Sequence, residues 1–305
     1  MERKKALILL NARAGMQKGT QCLLDVVKRT AKEGYEPIVY PIMHGRINSE
    51  DILAEYDGKI ELVICIGGDG TLNHVVSGVV SMTEQPRIGY IPSGSTNDFA
   101  RTLGIPLNIQ KALDTCFRGE AFSYDVGMLG NGKMFSYTAA FGAFTKISYD
   151  TDQKLKNAFG YGAYVLSAAG TLQENLSFKR HMRIEADGFV EEGDYLFGTL
   201  SNSVSIGGME ILRNRDVKLD DGKMELLLIH APKNAMDISS ILGALMRGDA
   251  DDPNITLYQT SKITVTADEK LEWSIDGEFG GSLQKTKITV LPRAVTIMRG
   301  KEIKK

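Results

Sequence analysis

The fold class is decided by residues 62–73, which read LVICIGGDGTLN. Residues 62–66 are apolar without interruption, a pattern typical of a strand buried on both faces of a parallel sheet. The strand leads into a glycine-rich turn at 67–71, and a helical pattern follows at 72–80. Glycines in such a turn let backbone N–H groups approach a phosphate, which the N-terminus of a helix also attracts. This stretch therefore predicts a phosphate-binding turn in an α/β domain.

The same strand–loop–helix order recurs over residues 1–128. Further strands are predicted at 6–10, 36–41, 88–91 and 122–128, and helices at 20–32, from 49, 99–103 and 108–117. Repetition of this unit implies a parallel sheet with helices on both faces. Ligands of such sheets bind at the carboxyl ends of the strands, which is where the glycine-rich turn falls.

The pattern changes after residue 128. A long helical stretch is predicted at about 148–172, interrupted by Gly160 and Gly162. The remaining runs are short and strand-like, with Asp-Gly turns between several of them: 182–186, 195–202, 223–230, 255–260, 263–267, 271–275 and 286–291. Short strands joined by such turns predict a mainly antiparallel, sandwich-like second domain.

The composition of the chain excludes several classes of protein. Over 305 residues, 36 Lys and Arg oppose 38 Asp and Glu, so the net charge of −2 rules out nucleic-acid binding by bulk positive charge. No apolar run reaches the roughly 18–20 residues of a membrane span, and the run at 6–10 is too short for a signal peptide. The three cysteines are far apart, which argues against a disulfide framework or a zinc site. We expect a cytoplasmic protein that meets a membrane only at its surface.

An acidic residue lies inside the predicted phosphate-binding turn. Asp69 would repel phosphates unless a divalent cation lay between them, so its position implies Mg²⁺. The alternative interpretation is a tight strand–helix turn in which Asp69 caps the helix. A second loop of glycine and hydroxyl residues lies in PSGSTNDFA at 92–100, after the neighbouring predicted strand. Two such loops at one end of the sheet favour a ligand site.

Together the two loops resemble the signatures of the diacylglycerol kinase and sphingosine kinase superfamily. Three further segments match that family in order: NARAG at 11–15, with Ala12 in place of the family's proline, YDVG at 124–127, and WSIDGEF at 273–279. The resemblance covers most of the chain and implies a bacterial soluble lipid kinase of the diacylglycerol kinase type. It implies an NAD-kinase-like α/β nucleotide-binding catalytic domain at 1–128 plus 294–305, and a β-sandwich lipid-substrate domain at 129–293.

The resemblance also implies roles for individual residues. Asp69 would hold the catalytic Mg²⁺ and the ATP phosphates, with Asp98 and Asp125 supporting the metal, partly through water. Glu278 would be the general base that takes the proton of the acceptor hydroxyl. The implied nucleotide contacts are Asn11, Gly67, Gly68, Asp69, Gly70, Thr71, Leu72, Asn73 and Ser95. The alternatives are that Asp98 caps a helix, that Asp125 lies in an ordinary turn, and that 276–278 is a plain hairpin turn.

A second magnesium site, structural rather than catalytic, is implied at 218–223. Asp221 would supply a carboxylate, and the backbone carbonyls of Lys218 and Lys223 would complete the site. A hairpin turn without metal is the alternative. The chain departs from the family at Met43, near the position where the family often has a threonine that helps to hold the nucleotide.

We therefore expect an ATP- and Mg²⁺-dependent lipid kinase that phosphorylates a primary hydroxyl, with diacylglycerol as the first choice of substrate and phosphatidic acid as its product. A kinase for a sphingoid base, ceramide or phosphatidylglycerol, an NAD kinase, and a nucleotide- or lipid-binding protein without turnover are the alternatives. Lys146, Lys154 and Lys156 suit contact with anionic headgroups at the inner membrane surface, although a core helix with solvated lysines fits them too. Family members often form homodimers, and no feature of this sequence decides the oligomeric state.

Overall fold

The computed structural model describes residues 3–11, 18–43, 47–94, 97–142, 179–203, 212, 216–248 and 250–300. Several predicted features lie outside these ranges: Ser95, the loop residues 12–15, the helix predicted at 148–172, and the lysines Lys146, Lys154 and Lys156. The chain divides into two compact units, of which the first comprises Met1–Tyr124 and Arg293–Lys305 and the second comprises Asp125–Pro292.

Strands and helices alternate in the first unit. Its elements are β1 (Lys4–Asn11), α1 (Lys18–Lys32), β2 (Tyr35–Ile42), α2 (Ser49–Glu55), β3 (Leu62–Gly67), α3 (Asp69–Val80), β4 (Arg87–Pro92), α4 (Asp98–Thr102), α5 (Ile109–Arg118) and the start of β5 (Glu120–Leu129). The strands predicted from the apolar runs at 6–10, 62–66 and 88–91 are confirmed as β1, β3 and β4.

Four strands of the first unit pair side by side in the order β2-β1-β3-β4, and all three of these pairings are parallel. The side chains of Ala6, Leu7, Ile8 and Leu9 on β1 are fully buried, as are those of Val63, Ile64, Cys65 and Ile66 on β3. Because successive side chains of a strand point to opposite faces, burial of every one requires cover on both faces. This explains the uninterrupted apolar runs.

The last strand of the chain begins in the second unit and ends in the first. This strand, β13 (Glu278–Arg299), pairs in parallel with β4 through Ile297 and Ile88. Ser123 of β5 and Thr296 of β13 share a hydrogen bond of 2.9 Å between their hydroxyls. The C-terminal segment therefore completes the strand order of the first unit.

The second unit is built largely of strands. Its elements are the rest of β5, then β6 (Met134–Phe135), β7 (Thr138–Gly142), β8 (Arg180–Ala186), β9 (Phe189–Ser201), β10 (Met224–His230), α6 (Ala235–Arg247), β11 (Ile255–Thr260), β12 (Lys262–Ile275) and β13 as far as Pro292. The pairings described within this unit are antiparallel, in the order β11-β10-β9-β7-β12-β13.

Large apolar side chains fill the core of the second unit. Trp273 is 1% exposed and packs edge-on against Phe141, with ring centroids 5.0 Å apart.

The helix α6 was not predicted from the sequence. Its first turn is capped by the Asn234 side chain, which accepts hydrogen bonds from the N–H groups of Met236 and Asp237. No helix within the described ranges is long and apolar enough to cross a membrane.

Candidate active site

The turn between β3 and α3 presents Asp69 at the start of a helix. Gly68 is the N-cap of α3, and Asp69 is its first residue. A Cβ atom on Gly67 would lie 2.5 Å from the Cβ of Thr71, so no side chain fits at that position. The 12-residue helix α3 therefore begins directly at the end of a buried strand, with its N-terminal N–H groups at the strand's carboxyl end.

The loop after β4 touches the loop after β3. The N–H of Ser93 donates to the carbonyl of Gly67 at 2.7 Å. A Cβ atom on Gly94 would lie only 2.6 Å from the Cα of Gly68, so the two glycine backbones meet without side chains between them. Asn97 fixes the second loop, because its side chain accepts from the N–H of Gly94 and donates to its carbonyl, both at 2.9 Å.

Two carboxylates come together where these loops meet. The backbone N–H of Asp98 donates to Oδ2 of Asp69 at 2.9 Å, and the hydroxyl of Tyr90 lies 3.5 Å from Oδ1. Burial, and next the charge of Asp98, raise the pKa of Asp69 to about 6, although the N–H groups of Asp98 and Phe99 oppose the shift. Burial also raises the pKa of Asp98, against the charge of Arg101. A cation bound beside Asp69 would therefore favour its ionised form against burial and the charge of Asp98.

The donor set at Asp69 and Asp98 fits magnesium. Mg²⁺ is usually held by one or two carboxylates together with substrate phosphates and several waters, rather than by a full cage of protein ligands. Within the part of the chain that the structure describes, no three His, Cys, Asp or Glu side chains come close enough to hold a metal between them. Two carboxylates beside a helix N-terminus therefore suit a cation that arrives with a phosphate ligand.

Buried polar side chains support the first loop. Nδ2 of Asn11, the last residue of β1, donates to Oγ1 of Thr71 at 2.9 Å, and both side chains are buried. Leu72 is 1% exposed, and its N–H donates to the carbonyl of Gly68 at 3.0 Å, so it anchors the turn from the core side. Tyr90 was missed by the sequence reasoning because nothing in a strand sequence indicates which loop a tyrosine hydroxyl will reach.

Asp125 lies in the second unit and is fully buried there. Its Oδ2 accepts a hydrogen bond from the N–H of Gly222 at 2.6 Å, and its backbone N–H donates to the carbonyl of Leu219 at 2.8 Å. The side chain of Asn202 donates to the carbonyl of Asp125 at 2.9 Å. The described contacts thus tie Asp125 to the loop 219–222, and its metal-supporting role stays a prediction.

The loop predicted to hold a structural magnesium forms a turn around Gly222, which has φ = +78°. Oδ1 of Asp221 accepts a hydrogen bond from the N–H of Lys223 at 3.0 Å, and Nζ of Lys218 lies 3.7 Å from a carboxylate oxygen of Asp216. These contacts are those of a side-chain-capped turn. The assignment of Lys218, Asp221 and Lys223 to a metal stays a prediction.

Glu278 is exposed at the start of β13, directly after a two-residue hairpin turn. Asp276 and Gly277 form this turn with φ of +47° and +85°, as an Asp-Gly pair favours. Both carboxylate oxygens of Asp276 are used: they accept the N–H groups of Ser136, Tyr137 and Thr138 at 2.8, 2.9 and 2.8 Å. The sequence indicated the turn at Asp276. It did not indicate that the Asp276 carboxylate would hydrogen-bond this turn to the backbone at the start of β7.

The predicted site residues divide between the two units. Asp69 and Asp98 belong to the first unit, where they are in contact, whereas Asp125 and Glu278 belong to the second. That Glu278 faces Asp69 stays a prediction.

Comparison with known proteins shows two family matches that together span most of the chain. The diacylglycerol kinase catalytic domain matches residues 5–129, and the YegS C-terminal NAD kinase beta sandwich-like domain matches residues 143–299. A diacylglycerol kinase of Staphylococcus carnosus is 33% identical over 285 residues, which cover 92% of this chain and 90% of the relative. A diacylglycerol kinase of Staphylococcus aureus strain MRSA252 is 34% identical over 285 residues, covering 92% and 88%.

A similar fold is known from a crystal structure. A diacylglycerol kinase from Bacillus anthracis strain Sterne superposes with a TM-score of 0.74 at 22% identity, covering 99% of this chain and 98% of that one. At that identity the likeness concerns the fold.

Proposed function

The chain belongs to the diacylglycerol kinase family and is a lipid kinase, and we propose that it transfers the γ-phosphoryl group of Mg²⁺-bound ATP to the primary hydroxyl of diacylglycerol, giving phosphatidic acid. The observation that carries the proposal is the contact of two glycine loops around Asp69 and Asp98 at the N-terminus of α3. An α/β unit with glycine turns at the carboxyl ends of its strands suits a nucleotide.

The two units take different substrates in this proposal. An NAD-kinase-like α/β domain at 1–128 plus 294–305, with helices on both faces of a parallel sheet, binds the nucleotide. The β-sandwich domain at 129–293 binds the lipid acceptor. Because diacylglycerol resides in a bilayer and ATP is a cytoplasmic substrate, we place the reaction at the cytoplasmic surface of a membrane.

Phosphoryl transfer requires positioning and charge neutralisation more than covalent chemistry by the protein. Asp69 and Asp98 would hold Mg²⁺, with Asp125 supporting it, and the bound cation would neutralise charge that develops on the phosphate oxygens. Because Gly68 and Gly70 carry no side chain, a phosphate can approach their backbone N–H groups closely. The remaining nucleotide contacts in the proposal are Asn11, Gly67, Thr71, Leu72, Asn73 and Ser95.

Glu278 serves as the general base for the acceptor hydroxyl. A carboxylate accepts the proton as the oxygen attacks the phosphorus, and such assistance typically contributes about 10²- to 10⁴-fold in rate. Its position depends on Asp276, whose three backbone hydrogen bonds fix the turn from which Glu278 extends. The structural Mg²⁺ site at Lys218, Asp221 and Lys223 belongs to the same proposal.

The test is transfer of labelled phosphate from ATP to dioleoylglycerol in mixed micelles, with Mg²⁺ present or chelated. We expect Glu278→Gln and Asp69→Asn each to lower kcat by about 10²-fold or more. Glu272→Gln is the matched control, because Glu272 is an exposed glutamate on the neighbouring strand β12. Activity that survives Glu278→Gln removes the base assignment. Transfer to NAD in place of any lipid, or ATP binding without transfer to either acceptor, refutes the proposed function.

A further inference from the structure

We infer that Phe279, held in place by Lys133, anchors the 276–278 turn at the interface of a lipid bilayer. The inference rests on the proposed function, because it concerns how Glu278 reaches a membrane-embedded acceptor. A general base must come within hydrogen-bond distance of the hydroxyl that it deprotonates. Consecutive Cα atoms are about 3.8 Å apart, so the residue after the base must lie close to the surface in which that hydroxyl resides.

The residue in that position is an exposed aromatic ring. Phe279 is 53% exposed, and in the described ranges it is the one aromatic side chain among the exposed large apolar residues. The exposed part of this side chain adds no buried apolar area to the core of the second unit. Because side chains alternate along a strand, the ring of Phe279 and the carboxylate of Glu278 extend from opposite sides of the same strand. When the tip of this hairpin approaches a bilayer, the ring can therefore enter the interface on one side of the strand while the carboxylate meets the acceptor hydroxyl on the other.

Side chains from the turn before β6 hold this segment. Nζ of Lys133 donates to the backbone carbonyl of Phe279 at 2.9 Å and lies 5.8 Å from the centroid of its ring. Nδ2 of Asn131 donates to the carbonyl of the next residue, Gly280, at 3.0 Å. An apolar ring beside an ammonium group matches the interface of a bilayer, where acyl chains meet anionic headgroups. We therefore take a lipid surface as the binding partner of Phe279 and Lys133.

The direct test measures partition of the full-length chain onto vesicles of phosphatidylcholine and phosphatidylglycerol that contain dioleoylglycerol. Burial of the exposed half of a phenylalanine predicts that Phe279→Ala weakens partition by about 3- to 10-fold, whereas Phe279→Trp retains it. Lys133→Met should weaken partition on neutral and anionic vesicles alike because the ring loses its support, and roughly a further fivefold on anionic vesicles, where added salt should remove the extra loss. Val190→Ala is the matched control, since Val190 is 58% exposed on a different hairpin of the same unit.

Kinetics separate anchoring from a merely structural role. Phe279→Ala should raise KM for vesicle-borne diacylglycerol by the same factor, while kcat, the KM for ATP and turnover of a short-chain, monomeric diacylglycerol stay within twofold of wild type. Three results would overturn the inference: equal partition of wild type and Phe279→Ala, an equal loss of partition in Val190→Ala, or no vesicle binding by the wild type. If the wild type transfers no phosphate at all, the proposed function fails, and the partition measurements still decide whether Phe279 is an anchor.

Discussion

The close contact between the two glycine loops makes Gly94→Ala the most informative substitution in the first unit. The added Cβ would lie 2.6 Å from the Cα of Gly68 and 2.8 Å from Oδ1 of Asn97. Carbon atoms normally approach to about 3.5–4.0 Å, so the loops must separate by about 1 Å. Neither neighbour can yield freely, because the side chain of Asn97 is hydrogen-bonded on both sides to Gly94, and Ser93 is bonded to Gly67.

The magnitude follows from that forced movement. Overpacking of this kind costs about 1–3 kcal/mol of stability, and a 1 Å displacement within a catalytic arrangement can cost about 10²-fold in rate. We therefore expect kcat/KM for ATP to fall by about 10- to 100-fold and the melting temperature to fall by a few degrees. The KM for the lipid acceptor should not change, because the loops belong to the nucleotide side of the proposal.

The assay is phosphate transfer at varied ATP concentration, paired with thermal unfolding of the same samples. Gly193→Ala is the matched control: it makes the same chemical change, and its Cβ would meet only Cε2 of Tyr195, at an ordinary 4.0 Å. If Gly94→Ala keeps both kcat and the KM for ATP within twofold of wild type, the two loops do not form one nucleotide-binding surface.

Two further predictions concern carboxylates of the second unit. Asp276→Asn should lower the free energy of unfolding by about 2 kcal/mol, since three backbone N–H groups lose a charged acceptor. It should also lower kcat without changing the KM for ATP. An unchanged denaturation midpoint would contradict this prediction. Burial raises the pKa of Glu225, which is 3% exposed, from about 4.5 to about 7. The folded protein therefore binds this proton more tightly than the unfolded chain does, and protonated Glu225 adds to the free energy of unfolding below pH 4.5. This contribution, up to about 3 kcal/mol, is lost as the pH rises to 7. Glu225→Gln should flatten this part of the pH profile of unfolding, and a profile identical to wild type would refute the assignment.

The local elements around the candidate site were predictable because their signals are local. An apolar run followed by glycines predicted β3 and its turn, and Asp276–Gly277 predicted a hairpin whose two residues indeed have positive φ. The helix α6 was missed, although an asparagine cap at Asn234 and a left-handed Gly248 at its end were readable signals. The apolar residues Ile238, Ile241, Leu242 and Leu245 also follow the i, i+3, i+4, i+7 spacing of a helix, so the periodicity of this segment was a further local signal.

Side-chain partners distant in sequence could not be predicted in the same way. The carboxylate of Asp276 reaches backbone groups about 140 positions away, and that of Asp125 reaches a loop 97 positions away. No spacing rule encodes such pairs, because the return path of the chain brings them together. Both residues therefore looked like turn residues or metal ligands in the sequence, and the fold gives each a backbone anchor role.

Sequence alone was enough to predict the alternation of strands and helices, the glycine turns and the order of the family motifs, because each depends on the conformational limits of a few adjacent residues. Sequence alone could not predict that Gly68 and Gly94 touch, that Asp98 donates its N–H to Asp69, or that Lys133 holds Phe279. Those contacts exist because strand pairing and core burial bring distant segments to one place, and the free energy that holds them there is a property of the whole packed unit.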